Sequence, residues 1–545
     1  MKNLLVIVFL FVSQLLAAQQ TIGTLSNTSS SFDGYTLFAP MSSTTTYLID
    51  NCGQLVNSWS AANRPGLSAY LLENGNLLRT KNLNNVDFNV GGSAGGVQIF
   101  AWDGTLLWDY EISSLMECHH HDIEYMPNGN VLMIVWESKT QTEAIQAGRN
   151  PANAPSSIWP DKIIEIEPSG SNGGTIVWEW HAWDHLIQDL DNTKDNFGVV
   201  SNHPELIDIN YSSNNSSDWL HTNSVDYNSD LNQIVLSIHN TSELWVIDHS
   251  TTTAEAASHA GGNSGKGGDL LYRWGNPEAY GRGNASNRKL YAQHDARWIT
   301  EGIDQDKLMV FNNGTNQNRA YSTVDLIDPP VDGNGSYTTP TAGESFLPAD
   351  YFWTYEAPIN TDFYSGNISG AHRLPNDNTL ICEGRKGHLF EVDLNGNIVW
   401  EYQTPVGNNG PVTQGTVLTN GNSIFRCTRY APDFEGFEGK DLTAGSVIEL
   451  TTTYTCDLFP NSTDVAVATI EPIRIVHNRT AGFLRVDNLP RAGALNVYDS
   501  FGRLIHTQPL SKNVVRLNSS FWLPGVFIIE VYNSEMYFAQ KIIKL

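Results

Sequence analysis

Two short sequence phrases alternate along most of this 545-residue chain, and they constrain the fold more than any other feature. The first phrase is a strand, an acidic residue, a glycine turn, another strand and a tryptophan, as in "LIDNCGQLVNSW" and "LFEVDLNGNIVWEY". The second phrase is a hairpin around an Asn-Gly type turn, as in "YLLENGNLLRT" and "IEYMPNGNVLMIV". Asn-Gly between apolar runs favours a hairpin, because both turn residues must accept a positive φ. The repeat therefore predicts an array of short antiparallel strands.

Six tryptophans mark the first phrase and its degenerate copies: Trp59, Trp108, Trp178, Trp274, Trp353 and Trp400. A propeller blade of four strands takes about 40 to 50 residues, and long insertions account for the wider gaps. The predicted fold class is all-β, with a six-bladed β-propeller over residues 19–458, and rings of five or seven blades are the alternatives. The segment "SVIELTTTY", residues 446–454, is a candidate for the strand that closes the ring.

Both ends of the chain differ from the repeat. Residues 1–18 combine a lysine, an apolar run and small residues, which is typical of a secretory signal peptide. Residues 466–545 alternate like strands but lack the tryptophan repeat, so they predict a separate small β-sandwich. No later stretch approaches the roughly 20 apolar residues of a transmembrane span. We therefore expect an exported, soluble or surface-attached protein.

Charge and cysteine content narrow the choice of partners. The formal net charge is −27, and a field of that sign repels nucleic acid and anionic membranes. The five cysteines show no metal-ligand spacing, so no metal or other cofactor is expected, apart from a structural Ca²⁺ on loop Asp and Asn residues. In an exported protein disulfides are expected, and Cys382–Cys427 is the candidate pair.

Three histidines fall in register when the hairpin phrases are aligned on their turns. His121, His221 and His294 take equivalent positions in consecutive repeats, and Ser369 takes that position in the next. The first strand of each propeller blade lines the central channel, so these side chains are expected to converge there. Such convergence favours a functional site over isolated core histidines.

Two kinds of chemistry suit histidines around a channel. One is a metal site, since "HHHD" adds His119, His120 and Asp122, but alternating strand residues cannot all face one ion. The other is covalent catalysis, in which a neutral imidazole attacks an electrophile. By the same period of two, Asn223 faces the same side as His221 and could donate a hydrogen bond to developing negative charge.

The segments "WLHTNSVDY", "RWGNPEAYG" and "LYAQHDARWI" resemble the bacterial aryl-sulfate sulfotransferases over roughly residues 40 to 455. The resemblance implies an exported six-bladed propeller that moves a sulfuryl group from a phenolic sulfate to a phenol, in a ping-pong reaction without a nucleotide donor. It implies that His294 is the nucleophile that becomes sulfated. It also implies that His221 and Asn223 bind the sulfuryl oxygens or activate the acceptor, and that His121 or His120 matches a further family histidine.

One position departs from the family pattern. The family commonly has an arginine after the strand that follows H-x-N-S, and this chain has His239 there. An arginine supplies fixed charge to a sulfuryl group, whereas His239 does so only when protonated. Arg385 is the cation that we expect to bind the substrate in place of the missing arginine, and Arg297 and Arg373 are further candidates.

The segments "LNVYDSFGRLIHTQPL", "LPGVFIIEV" and "FAQKIIKL" resemble type IX secretion sorting domains. The resemblance implies that residues 466–545 engage the type IX secretion machinery, and that the protein is secreted or held on the outer-membrane cell surface.

Two other functions fit parts of the sequence. "AWDGTLLW" is similar to a docking phrase of quinoprotein dehydrogenases, although that phrase predicts no histidines in register. The aromatic loop "WHAWDH" would suit a non-catalytic propeller that binds glycans or proteins at the cell surface.

Overall fold

The computed structural model describes residues 20–211, 215–418, 421–452 and 454–459. Beyond residue 459 it describes the segments 474–478, 483–487, 489, 493–510, 515–518, 522, 525–533 and 537–544. The predicted signal peptide, residues 1–18, lies outside the described residues. The chain is all-β, with antiparallel sheets and few, short helices, as the sequence predicts.

In the described part of the chain up to residue 430, the large sheets number six, and each is antiparallel. Five have four strands and the sixth has five. From the inner strand outward, sheet 1 contains Ile424–Tyr430, Tyr35–Pro40, Thr45–Ile49 and Leu55–Ser60. Sheet 2 contains Pro65–Leu71, Leu77–Asn82, Gly95–Phe100 and Leu106–Glu111. Sheet 3 contains Glu117–Tyr125, Val131–Glu137, Asp161–Ser169 and Gly173–His181.

The remaining three sheets follow in chain order. Sheet 4 contains Thr222–Asn228, Gln233–Ile238, Glu243–Asp248 and Tyr272–Trp274. Sheet 5 contains His294–Trp298, Leu308–Asn312, Thr323–Ile327 and Trp353–Tyr355. Sheet 6 contains Gly370–Arg373, Thr379–Glu383, His388–Val392, Ile398–Gln403 and, on its outer edge, Gly23–Asn27.

The inner strands contact one another in a closed order, from sheet 1 through sheet 6 and back to sheet 1. An apolar cluster fills the space between each neighbouring pair of sheets. Because each sheet buries both faces against its neighbours, the core is distributed around the ring rather than gathered at its centre. The centre is left to the side chains of the inner strands.

The six marker tryptophans all lie on the fourth strand of their sheets. All except the half-buried Trp353 are buried, so their indole N–H groups need acceptors, and several find them on the next sheet. Trp59 donates to the carbonyl oxygen of Ala101 at 2.9 Å, and Trp400 donates to that of Asn51 at 2.8 Å. The second bond joins the last sheet to the first. The repeated tryptophan is therefore a link between successive sheets.

The predicted closing strand is wrong. Residues 446–454 contain no strand among those described, and Val447 forms only an isolated bridge with Gln54. The ring is closed by Ile424–Tyr430, which pairs with Tyr35–Pro40. Ile424–Tyr430 suits this inner position because most of its side chains are buried.

The predicted disulfide is also wrong. Cys52 bonds to Cys456, across 404 residues of sequence. Cys382 and Cys427 are free and buried, because both lie in the apolar cluster between sheets 6 and 1. The bond that forms ties the segment after the ring to a turn of sheet 1.

Shorter elements connect the sheets. The α-helices are Gln141–Gln146 and Thr253–Ala256. The 3₁₀ turns are Pro151–Asn153, Ala182–Asp184, Val200–Asn202, Pro277–Tyr280, Ala285–Asn287, Asn360–Asp362, Gly384–Lys386 and Glu435–Phe437. Two-residue strands pair Lys139–Thr140 with Ser157–Ile158, Leu186–Ile187 with Ile207–Asp208, and Val406–Gly407 with Gly410–Pro411. None of the helices in the described segments is long and apolar enough to cross a membrane.

Two further sheets lie after residue 473. One contains Arg474–Asn478, Phe483–Asp487 and Val515–Asn518. The other contains Leu504–Pro509, Ala494–Asp499, Gly525–Tyr532 and Tyr537–Lys544. Side chains of both sheets, among them Leu517 and Ile529, share one apolar cluster that is separate from the clusters of the ring.

Candidate active site

A left-handed residue interrupts the strand pattern at the inner edge of four consecutive sheets, 3 to 6. These residues are His121 (φ 54°), His221 (φ 57°), Asp295 (φ 58°) and Ser369 (φ 88°). In sheets 3, 4 and 5 the pairing register also shifts beside them, as in a β-bulge. A bulge re-aims side chains that simple alternation would send elsewhere. The shared feature explains why the histidines align in sequence to within one residue.

The structure brings five histidines together at the inner edge of sheets 3, 4 and 5. Ring centroids lie 5.1 Å apart for His120 and His121, and 4.5 Å apart for His121 and His221. The row continues through His239, 5.0 Å from His221, to His294, 5.6 Å from His239. We call these five residues the histidine cluster. His239, which departs from the family pattern and which the sequence assigns to substrate binding, lies between His221 and the predicted nucleophile.

His294 is held in one orientation by Asn313. The Asn313 side-chain N–H groups donate to the carbonyl oxygens of Ser365 and Ile368 at 2.7 and 2.8 Å. Its Oδ1 therefore faces His294 and accepts from Nδ1 at 2.8 Å. The other ring nitrogen, Nε2, accepts the backbone N–H of Ile368 at 3.2 Å. This network places the proton on Nδ1 and the lone pair on Nε2.

His221 is paired with a carboxylate. Its Nδ1 donates to Asp218, three residues earlier, so Nε2 is left toward the rest of the cluster. Burial by itself would lower the pKa of His221, but the charge and hydrogen bond of Asp218 outweigh burial, and the pKa is raised. The His221 side chain is 16% exposed, which makes it accessible from solvent. It is the cluster member best suited to carry a proton at neutral pH.

The other members stay neutral at that pH. Burial, reinforced by the neighbouring His239, holds the pKa of His294 well below its ordinary value. Burial and then His221 lower the pKa of His121 in the same way. For His239, burial followed by His221 lowers the pKa to about 4, and Arg288 adds to the effect. A neutral, buried imidazole retains the lone pair that a nucleophile needs.

His120 forms the end of the row. Its ring stacks on Trp136 with centroids 3.8 Å apart, and its Nδ1 lies 2.8 Å from Nδ1 of His121. Its Nε2 lies 3.3 Å from Asp161. His119, the third histidine of "HHHD", instead bonds to the carbonyl oxygen of Ile134.

A buried arginine lies beneath the cluster. Arg426, on the closing strand, forms ion pairs with Asp122 and Asp295, and its Nε lies 3.0 Å from Asp295 Oδ1. Its guanidinium also donates to the hydroxyl of Tyr70 at 2.8 Å and to the carbonyl oxygen of Asn223 at 2.9 Å. Asp122 and Asp295 directly follow His121 and His294 in the sequence. Arg426 therefore connects the backbones that carry two members of the cluster.

Asn223 and Arg385 do not join the histidine cluster. Asn223 is buried, and its side-chain amide donates to the carbonyl oxygen of Gln293 at 2.7 Å, so it supports the strand of the predicted nucleophile. Arg385 is exposed at the turn Gly384–Lys386, where its backbone N–H donates to Ser365. Among the described residues, no carboxylate forms an ion pair with it.

Arg297 and Arg373 are each bound to an acid. Arg297 donates to Asp295 at 2.7 Å, and Arg373 donates to Asp304 at 2.7 Å. Among the described residues, neither arginine directly contacts a ring of the histidine cluster. Arg288 lies near enough to His239 to lower its pKa.

Sequence reasoning missed several groups that position the cluster. Asp218 lies three residues before the H-x-N-S segment. The sequence does not show that the loop brings its carboxylate to His221. Asn313 lies in "FNNG", which is more typical of a turn. Arg426 is on a strand that was not expected to line the centre. Nothing in the sequence pattern indicates the N–H of Ile368.

The group that meets metal-ligand spacing in the described part of the chain lies elsewhere. It consists of His185, His259 and Asp269, whose ligand atoms lie within 4.8 Å of one another. The histidine cluster itself is arranged as a row of rings with individual hydrogen-bond partners.

The family model for arylsulfotransferases (ASST) matches residues 35–402 of the chain. The chain therefore belongs to the arylsulfotransferase family. This membership supports an aryl sulfotransferase activity in general, with phenolic substrates. No match to this chain was found among curated proteins.

Several solved structures are similar at low sequence identity. A protein of unknown function from Bacteroides caccae is 11% identical, with a TM-score of 0.39, over 73% of this chain and 98% of that one. A streptogramin B lyase is 14% identical, with a TM-score of 0.34, over 72% and 86%. The virginiamycin B lyase of Staphylococcus aureus is 11% identical, with a TM-score of 0.33, over 70% and 88%. Likenesses at these TM-scores carry no inference about function.

Replacing Asp218 with Asn should make the stability of the protein depend differently on pH. Asp218 raises the pKa of His221, so the ion pair stabilises the fold fully below the ordinary His pKa of 6.5 and less as the pH rises through the folded pKa. On the acid side, the stabilisation by the ion pair persists down to about pH 3.8, the ordinary Asp pKa, because the pKa of Asp218 is itself lowered. Urea unfolding should show a loss of about 3 kcal/mol near pH 5 and a smaller loss near pH 9.

Asp191→Asn is the matched control, because Asp191 is an exposed carboxylate that bonds only within its own turn. This substitution should change the free energy of unfolding by the same small amount near pH 5 and near pH 9. A loss in Asp218→Asn that is the same near pH 5 and pH 9 would contradict the proposed ion pair.

Proposed function

We propose that this protein transfers a sulfuryl group from a phenolic sulfate to a phenol through a sulfated His294. The observation that carries the proposal is the orientation of His294: its Nδ1–H is bound to Asn313, so its Nε2 lone pair is the nucleophilic one. The lowered pKa keeps this nitrogen unprotonated at neutral pH. Family membership supplies the class of reaction.

The reaction has two steps that balance in atoms and charge. In the first, His294 Nε2 forms a bond to the donor sulfur while the bond from sulfur to the phenolic oxygen breaks. The leaving phenolate takes a proton from His221, whose pKa is raised by Asp218. In the second step, the acceptor phenol gives its proton to His221 and its oxygen attacks the sulfur, which frees His294. His221 thus acts first as acid and then as base.

The sulfuryl oxygens need hydrogen-bond donors beside His294. Protonated His221 can supply its Nε2–H, because its Nδ1–H is already bound to Asp218. His239, 5.6 Å from His294 between ring centroids, is neutral, and its Nδ1–H is donated to the Asn240 side-chain oxygen at 2.7 Å. The N–H of Ile368, which bonds to Nε2 in the resting site, would turn to a sulfuryl oxygen once the nitrogen–sulfur bond forms. Arg288 adds positive potential from the side of His239. The site therefore handles an anion with one protonated histidine and neutral donors.

We further propose that the six large sheets are the blades of a six-bladed β-propeller and that the two C-terminal sheets form a sorting β-sandwich. The closed order of inner-strand contacts and the Trp400–Asn51 bond support the first part. The separate apolar cluster after residue 473 supports the second. With the signal-like first 18 residues, this organisation suits secretion through the type IX machinery to the cell exterior or surface.

The direct test is transfer from 4-nitrophenyl sulfate to phenol by the full chain, followed as nitrophenol release with and without acceptor. Wild type should release nitrophenol in an acceptor-dependent way. His294→Asn, which is close to the original in size, should lower kcat by on the order of 1,000-fold. His203→Ala removes an exposed histidine that pairs with Glu205 outside the cluster, and should leave the rate unchanged. Equal rates in His294→Asn and wild type would overturn the proposal, and so would wild-type release of many equivalents of nitrophenol per enzyme without an acceptor.

Replacing His239 with Arg should raise activity at neutral pH. His239, with a pKa of about 4, is uncharged there, whereas an arginine keeps its charge at any working pH. One added charge-assisted hydrogen bond in the transition state corresponds to about a tenfold gain in kcat/KM near pH 7.5.

His239→Gln is the neutral control for that substitution and should stay within about threefold of wild type at the same pH. A fall in activity of the same size in both variants, despite native circular dichroism, would show that His239 acts by shape or as a base rather than as a missing charge.

A further inference from the structure

A second group of histidines lies away from the histidine cluster, on the segment that joins sheets 3 and 4 and on a loop within sheet 4. His185 follows the 3₁₀ turn Ala182–Asp184, after the last strand of sheet 3. His259 and Asp269 flank a glycine-rich loop between the helix Thr253–Ala256 and the last strand of sheet 4. The proposed sulfuryl transfer uses none of these three residues.

Two imidazole nitrogens meet a single carboxylate oxygen in this group. Nδ1 of His185 lies 2.8 Å from Oδ1 of Asp269, and Nδ1 of His259 lies 2.7 Å from the same atom. A carboxylate oxygen approached by two histidine nitrogens is a donor set of two nitrogens and one oxygen. Zinc and the neighbouring divalent transition metals favour such ligands.

The orientation of His185 is fixed independently of Asp269. Its Nε2 donates to the carbonyl oxygen of Ala256 at 2.8 Å, and its ring, which is fully buried, stacks almost parallel on Trp180. A metal-bound histidine commonly donates its other ring N–H to a backbone carbonyl, which fixes the orientation of the ring. In His185 this bond leaves Nδ1 as the nitrogen that can present a lone pair to a metal.

The glycine-rich loop is shaped to cover this histidine. A Cβ on Gly268 would lie 2.5 Å from Nε2 of His185 and 2.0 Å from the carbonyl oxygen of Ala256. Only glycine lets the backbone approach the ring this closely. The indole N–H of Trp180 donates to the carbonyl oxygen of Gly268 at 2.7 Å and holds the loop in place.

The geometry of the group can adjust to an ion. His259 is 62% exposed, so its ring has room to open the half ångström or so that metal ligation needs, and the outer side stays accessible to water ligands.

We propose that His185, His259 and Asp269 bind one divalent transition-metal ion of the zinc type. The ion fastens the loop of residues 258–269 to the segment that follows sheet 3. It is a structural site, independent of the transfer reaction.

The test uses Co²⁺ as a spectroscopic probe on the full, metal-stripped chain, with Zn²⁺ as the competitor. Wild type should bind one Co²⁺ at micromolar concentrations, with visible absorption typical of low coordination number, and Zn²⁺ should displace it. His259→Ala changes an exposed side chain and should fold normally, yet lower the Co²⁺ affinity at least tenfold, as should Asp269→Asn. His203→Ala, which removes another histidine of the same region, should bind like wild type.

Thermal unfolding gives a second readout, because a ligand that binds only the folded state raises Tm. Zn²⁺ should raise Tm for wild type and for His203→Ala, but not for His259→Ala. Co²⁺ binding of equal strength in His259→Ala and wild type would overturn the proposal, because the metal would then bind elsewhere. Absence of binding to wild type at micromolar concentrations would overturn it as well.

Discussion

The arrangement at the centre of the ring depends on one buried guanidinium. Arg426 is charged in a place where water is excluded, and a charge there is tolerated only if opposite charges compensate for its lost hydration. Burial acts to lower its pKa, but Asp122 and Asp295 outweigh burial and raise it. These aspartates follow His121 and His294, so the contact that neutralises the arginine also fixes the backbone of two cluster histidines.

That contact also couples the site to closure of the ring. Arg426 belongs to the strand Ile424–Tyr430, which pairs with the first strands of the chain rather than with its neighbours in sequence. The two carboxylates that form ion pairs with Arg426 come from sheets 3 and 5. Asp295 in turn accepts the backbone N–H of Ala371 at 3.0 Å, on the inner strand of sheet 6. The histidines can therefore converge only after distant parts of the chain have assembled.

Left-handed residues give the site its second constraint. For residues other than glycine this conformation costs about 1 to 2 kcal/mol each, and it recurs at His121, His221, Asp295 and Ser369. The surrounding sheets hold these residues in place through bonds such as the backbone N–H of His121 to the carbonyl oxygen of Gly92, at 2.9 Å. As a result, two consecutive residues such as His120 and His121 can both approach the histidine cluster.

The sequence predicts those features that repeat. Marker tryptophans and Asn-Gly hairpins are local signals, and they lead correctly to short antiparallel strands. The structure adds that the tryptophans lie on the fourth strand of each sheet. The histidine register is likewise visible, since a similar bulge recurs in sheets 3, 4 and 5. Pairings made only when the ring closes leave no local pattern. The Cys52–Cys456 bond and the closing strand are of this kind.

Side-chain partners were the least predictable feature. Asp218 is aligned with His221 by an irregular loop, and Asn313 acquires its role from two carbonyl groups of the loop that precedes sheet 6. Simple alternation placed Asn223 beside His221, but the bulge at His221 breaks that alternation, and the amide of Asn223 turns to the backbone of Gln293. Replacement of a family arginine by His239 could be read from sequence, whereas its neutral state follows from burial.

The central proposal is that Nε2 of His294 accepts the sulfuryl group. The most direct measurement is to mix the full chain with an aryl sulfate in the absence of acceptor, quench at alkaline pH, and localise the added mass by fragmentation mass spectrometry. We expect one sulfuryl group on His294, lost when a phenol is added before the quench. A sulfuryl group on another residue, or turnover without any modified enzyme, would contradict it.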